Sequence, residues 1–132
     1  MEIVNVLAAA AAAWIYGAVH YMVLSKPWIR VSGAKVDADG KPLPQALPAL
    51  PFILSFIAMI LVAGMMRHVL KMATMDTVGG GVMVGFGIGA FFITPWVMMN
   101  NAYPGRPFLL TIIDGAYAII GCTIIGVVLQ LF

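Results

Sequence analysis

The sequence predicts an all-α integral membrane protein, a four-helix bundle built as a single domain over residues 1–132. Three observations predict it. Hydrophobic residues make up 63% of the chain and charged residues 9%, where soluble domains carry about 25% charged residues; the mean hydropathy is +1.05. Apolar runs at about 3–25, 51–71, 78–99 and 107–132 are each long enough to cross a hydrocarbon core of about 30 Å. Within the third run, Gly81, Gly85 and Gly89 recur at every fourth position and stack on one helix face. In water such glycines weaken a helix by roughly 1 kcal/mol each against alanine. In lipid the backbone bonds to itself, and a glycine ridge lets another helix approach closely.

The first span starts at Ile3 and reads I-V-N-V-L-A-A-A-A-A-A-W-I-Y-G-A-V-H-Y-M-V-L. A cleaved signal peptide is the competing interpretation, but Glu2 is acidic and no Lys or Arg precedes the run, so a retained helix is expected. Ala9, Ala13 and Gly17 are again four apart, which makes this helix a candidate partner for the glycine ridge. Tyr16 and His20 lie one turn apart on one face.

Residues 26–50 form the polar segment, with Lys26, Arg30, Lys35 and Lys41 against Asp37 and Asp39. Trp28 between two cations resembles an interfacial anchor, and Lys26–Val31 fits one short helical turn on the membrane surface. Asp39-Gly40 signals a turn. The D-A-D-G string lacks the spacing and the closing glutamate of a calcium loop. Pro42, Pro44, Pro48 and Pro51 then hold the chain extended up to the second span.

That second span ends in Arg67, His68 and Lys71, where the helix dipole favours cations and long side chains reach water. Pro95 lies inside the third span and removes one backbone bond, which predicts a kink near Phe91. Asn100–Arg106 is expected as a tight polar loop, and Pro107 opens the fourth span, which carries Asp114.

Four spans place both termini on one side. The opposite side collects Lys26, Arg30, Lys35, Lys41 and Arg106, against Arg67 and Lys71 on the terminal side. The excess of cations marks the cytoplasm, so the long first loop is expected inside and both termini in the periplasm.

The chain resembles a family of small four-helix bacterial membrane proteins defined only as a domain of unknown function. The resemblance covers nearly the whole chain. It is carried by Asn5, W-I-Y-G-A-V-H-Y at Trp14–Tyr21, K-P-W-I-R-V-S-G at Lys26–Gly33, N-A-Y-P-G-R-P from Asn101, and I-D-G-A-Y at Ile113–Tyr117. The family's first-helix motif often has Trp-Tyr where this chain has His20-Tyr21. The resemblance implies a fold and a location in the bacterial inner membrane, and no activity.

The strongest constellation of polar residues sits at the cytoplasmic end. Asp114 lies seven residues past Pro107, roughly 10 Å along a helix axis. His20 lies at a comparable depth, with Asn100, Asn101, Tyr103 and Arg106 at the same level and Tyr16 and Tyr117 nearby. An intramembrane acid is costly: it pairs with a cation such as Arg106 or a protonated His20 in the bundle interior, or stays protonated and hydrogen-bonds to Asn100 or a tyrosine. Arg106 is two helical turns from Asp114, so His20 is the expected partner, directly or through one water. Two roles stay open: a titratable or polar-ligand site at His20 and Asp114, or an Asp114 that only fixes Arg106 or Asn100 of the neighbouring loop.

Other candidates are weaker. Met65, His68, Met72 and Met75 would form one stripe if the second helix continued through them, and thioether with imidazole suits Cu(I). Methionine is also a common core filler, and the chain has ten, so no bound metal or cofactor is expected. Trp14, Trp28 and Trp96 read as packing or interfacial aromatics rather than a ligand cage. Cys122, the single cysteine, reads as a packing residue. Gly79-Gly80-Gly81 lacks the lysine and strand context of a phosphate loop. A formal net charge of +2 with scattered charges gives nucleic acid no footprint.

With no catalytic constellation, the chain is expected not to be an enzyme. Two functions follow. One is a helix-packing or assembly protein that uses the glycine ridge to self-associate or to bind another membrane protein. The other is a small transporter or channel, proton-linked through a site around Asp114 and His20. A water-filled cavity at Asp114 favours the second; a dry, fully paired Asp114 favours the first.

Overall fold

The computed structural model describes residues 2–132. The elements run α1 (Glu2–Val23), α2 (Ser25–Ser32), α3 (Leu50–Met72), α4 (Val78–Gly87), a π-helical turn (Ile88–Ile93), α5 (Thr94–Ala102) and α6 (Phe108–Gln130). Four helical stretches are long and apolar enough to cross a membrane: α1, α3, the continuous Val78–Ala102 and α6. The longest, of 25 residues, measures about 37 Å at 1.5 Å per residue. The protein is a multi-pass membrane protein of four spans.

Helix α6 is the hub. It packs against α1, α2, α3, α4, the π turn and α5, whereas α1 and α4 do not meet among the described residues. The core consists of Ala9, Ala10 and Ala13 from α1, Ala63, Met66 and Leu70 from α3, and Cys122, Ile125 and Leu129 from α6. Small alanines on α1 let the thicker aliphatics of α3 and α6 close around it.

The glycine ridge does seat a helix, but its partner is α6 and not α1. A Cβ on Gly81 would lie 2.2 Å from the Gly126 carbonyl oxygen, and one on Gly85 would lie 2.3 Å from that of Cys122. One on Gly89 would lie 2.5 Å from Ile119 Cα. Here backbone meets backbone, as close packing in lipid favours. The small residues of α1 face elsewhere: Ala9 and Ala13 line the core, and Gly17 makes room for Tyr117.

The predicted disturbance ahead of Pro95 takes the form of the π turn at Ile88–Ile93. Proline cannot donate to the carbonyl of Phe91, so the helical bonding widens before it. The Gly89 carbonyl accepts from the Thr94 backbone N–H and also, at 2.7 Å, from the Thr94 hydroxyl. Beyond it the helix continues to Ala102, further than the expected end at Met99, so Asn100 and Asn101 are helical rather than part of a loop.

The segment after α1 is more ordered than one turn. α2 has eight residues, follows α1 directly and ends at Gly33, whose φ of +79° gives a left-handed cap. Pro27 falls in its first turn, where a missing N–H costs nothing. A small hairpin follows, with Val36 bridged to Pro42. Asp37 Oδ1 accepts from the backbone N–H of Asp39 and of Lys41, so this carboxylate builds the turn. Lys71 and Glu2 form an ion pair between α3 and α1 at the terminal end.

Candidate functional site

The polar residues predicted at one level separate into two clusters. In the outer one, Asn101 is buried and donates from Nδ2 to Thr111 Oγ1 at 3.2 Å, while Arg106 Nη1 donates to Asn101 Oδ1 at 3.3 Å. These contacts tie the α5–α6 connection together. Asn100 and Tyr103 are exposed. Arg106 reaches Asn101 and not Asp114.

The inner cluster is built by α1 and α6. His20 is buried, and its Nε2 lies 2.9 Å from the Ile113 carbonyl. A carbonyl only accepts, so Nε2 carries the proton and donates. Tyr16 OH, one turn back on α1, donates to Nδ1 at 3.0 Å. Both ring nitrogens are therefore occupied, and His20 does not pair with Asp114. With Nε2 on the Ile113 carbonyl and Nδ1 on Tyr16, His20 has no ring nitrogen left for the acid.

Asp114 is held instead by Tyr21, whose OH donates to Oδ1 at 2.7 Å. No cation pairs with this carboxylate among the described residues. A tyrosine is the alternative to His20 as a partner, but sequence reasoning does not single out Tyr21. Its signal was present in the Trp14–Tyr21 motif, at the position beside His20, but depth alone could not choose between neighbouring residues.

Tyr117 closes the cluster from α6. Its ring stacks near Tyr16, with centroids 6.1 Å apart, and meets Tyr21 edge-on at 5.4 Å. Its OH donates to the Ala13 carbonyl at 3.4 Å and lies 3.5 Å from Met59 Sδ. Any side chain on Gly17 would collide with this phenol, since a Cβ there would lie 2.6 Å from its oxygen. Trp28 packs its edge on Tyr21 at 6.0 Å, so α2 covers the site instead of only anchoring at the interface. Trp14 donates from Nε1 to Ser55 Oγ at 3.0 Å and joins α1 to α3.

Two cavities meet at the Tyr21 and Tyr117 rings. One, of about 440 Å³, lies between α1 and the start of α3 and is lined by Trp14, Phe52 and Ser55 among others. The second, of about 290 Å³, lies where α3 diverges from the third span. Met59 and Val62 form one wall and Ile93 and Val97 the other, with Asp114 in its lining. The acid thus borders a cleft walled mainly by apolar side chains.

At the opposite end, α3 stops at Met72 and the chain turns back, Met75 N–H donating to the Leu70 carbonyl at 2.9 Å. Met75 packs toward the core and Gly80 while Met65, His68 and Met72 are exposed. The four residues do not form one helical stripe. Arg67 donates from Nη1 to the Leu129 carbonyl at 3.1 Å and caps the end of α6.

The family model described as "Protein of unknown function (DUF1761)" matches residues 4–130. No curated protein and no solved structure matches the chain.

Proposed function

Since the chain belongs to the DUF1761 family, whose description carries no activity, we propose a function from the site itself: a small proton-linked transporter whose solute enters the α3–α5 cleft from the bilayer and binds at Asp114. The observation that supports this reading is the position of an intramembrane carboxylate, bonded to a neutral phenol, in the lining of an apolar cleft. Acids at such depth are costly and mark sites where protons or solutes are handled. The assembly reading has lost its main carrier, because each ridge glycine lies against α6. The same proposal places the protein in the bacterial inner membrane with both termini periplasmic, on the excess of cations in the first and third loops.

Access of the cleft to the bilayer is the testable core. Dicyclohexylcarbodiimide, which partitions into lipid and modifies protonated carboxyl groups, is expected to label Asp114 in proteoliposomes. A water-soluble carbodiimide should reach Asp37, Asp39 and Asp76 and leave Asp114 unmodified. Val97→Trp, which fills the cleft, should lower labelling by the lipophilic reagent several-fold. Mass spectrometry showing Asp114 inert to the lipophilic reagent would overturn the proposal.

A further inference from the structure

The charge and shape of the cleft narrow the class of solute, on the premise that it is a site open to the bilayer. The two cavities that meet at Tyr21 and Tyr117 are lined by no lysine, arginine or histidine. Asp114 is the one formally charged side chain in either lining. Its donor among the described residues is the Tyr21 hydroxyl, a neutral group. An ionised carboxylate here therefore has hydrogen bonding but no counter-charge. In hydrocarbon such a group draws in whatever neutralises it, and two species can do so: a proton or a cation.

The rest of the cleft selects among cations. Met59, Val62, Ile93 and Val97 offer no oxygen ligands for a hard metal ion, which needs about six. They offer apolar contact to a hydrophobic body. The rings of Tyr21 and Tyr117 lie beside the carboxylate, and aromatic faces attract organic cations. The cleft's volume of about 290 Å³ lies just below the range for small-molecule sites, about 300–1,000 Å³, and it joins the cavity of about 440 Å³ at Tyr21 and Tyr117. We propose that the site takes a lipophilic organic cation, which binds Asp114 in exchange for its proton.

Exchange fixes the sign of the pH dependence. A cation competes with a proton for the same carboxylate, so binding strengthens as pH rises. The groups around it are few. α1 contributes Tyr21, and His20 by way of the Ile113 carbonyl; α6 adds Tyr117 and Cys122. α3 and α5 present only apolar side chains to the cleft. From α2 the neighbour is Trp28 on Tyr21, with Lys26 and Arg30 exposed.

The test uses the purified full chain in detergent and in proteoliposomes, with tetraphenylphosphonium and tetraphenylborate as probes of similar shape and opposite charge. Equilibrium dialysis should show saturable binding of the phosphonium to wild-type protein, at least tenfold stronger at high than at low pH, and no saturable binding of the borate. The phosphonium should also protect Asp114 from dicyclohexylcarbodiimide. Asp114→Asn should bind the phosphonium at least tenfold more weakly. The wild-type pH series and protection stand without the variant, should it misfold. Labelling of Asp114 that the phosphonium leaves unchanged would overturn the cation assignment while leaving the open cleft intact. Equal binding of both probes would overturn it too, as partition without charge recognition. Absence of labelling removes the cleft itself, and the assignment with it.

Discussion

At the scale of single residues, the chemistry of this protein turns on what a carboxylate accepts from. Asp114 takes a hydrogen bond from Tyr21, and His20 is engaged separately by Tyr16 and the Ile113 backbone. Asp114→Asn keeps an acceptor for the phenol and is expected to leave thermal stability in detergent nearly unchanged. Asp114→Leu strands the Tyr21 hydroxyl in an apolar setting and should cost about 1–3 kcal/mol. Comparable melting shifts for the two variants would show that the bond is not holding the α1–α6 contact. His20→Ala should weaken the fold independently of both, because its partners lie in a different set. His20, Asp114 and Tyr117 share the inner cluster, but His20 and Asp114 are not paired. Sequence could not resolve which of two adjacent residues on α1 faces the acid, since that depends on the rotation of α1 about its own axis.

At the scale of elements, the third span carries two separate devices. Its first half is a ridge of glycines pressed on α6, and its middle is the π turn that absorbs Pro95. The ridge was legible because glycine at every fourth position has one economical use in lipid. The partner was not, because α1 and α6 both present small residues. α6 offers Gly126 opposite Gly81, with Cβ-to-oxygen distances near 2 Å if either glycine gained a side chain, a mutual requirement invisible from either helix alone. Gly85→Leu would drive a side chain into the Cys122 backbone and should destabilise the bundle by about 3 kcal/mol or more. Leu61→Ala, at a position 69% exposed and read here as facing lipid, should change little. Unfolding of the two variants in a detergent titration gives the comparison, and similar midpoints would mean the seam is not what holds α4 to α6.

For the molecule as a whole, span number and fold class could be read from composition and run length because the bilayer sets both. Orientation is a matter of charge counting. Lys35→Cys in a Cys122→Ala background is expected to resist an impermeant maleimide in intact cells and to react once the membrane is opened. Rapid labelling of intact cells would invert the topology. What no sequence pattern announced was the centrality of α6, since all four spans are similarly apolar and the hub is set by three-dimensional packing.

That centrality has a consequence for how the protein is made. The hub is synthesised after the three spans that pack on it. Until it arrives, α1 and α3 have each other, but α4 has only a brief contact with α3. The roughly 30 residues from Ala102 onward take about two to six seconds to synthesise at 5–20 residues per second. For that interval the half-built chain holds three spans in the membrane with its tightest seam unfilled. Damage to the seam should therefore appear first as lost yield in the cell, through quality control acting on the waiting spans, before any purified protein exists to be melted.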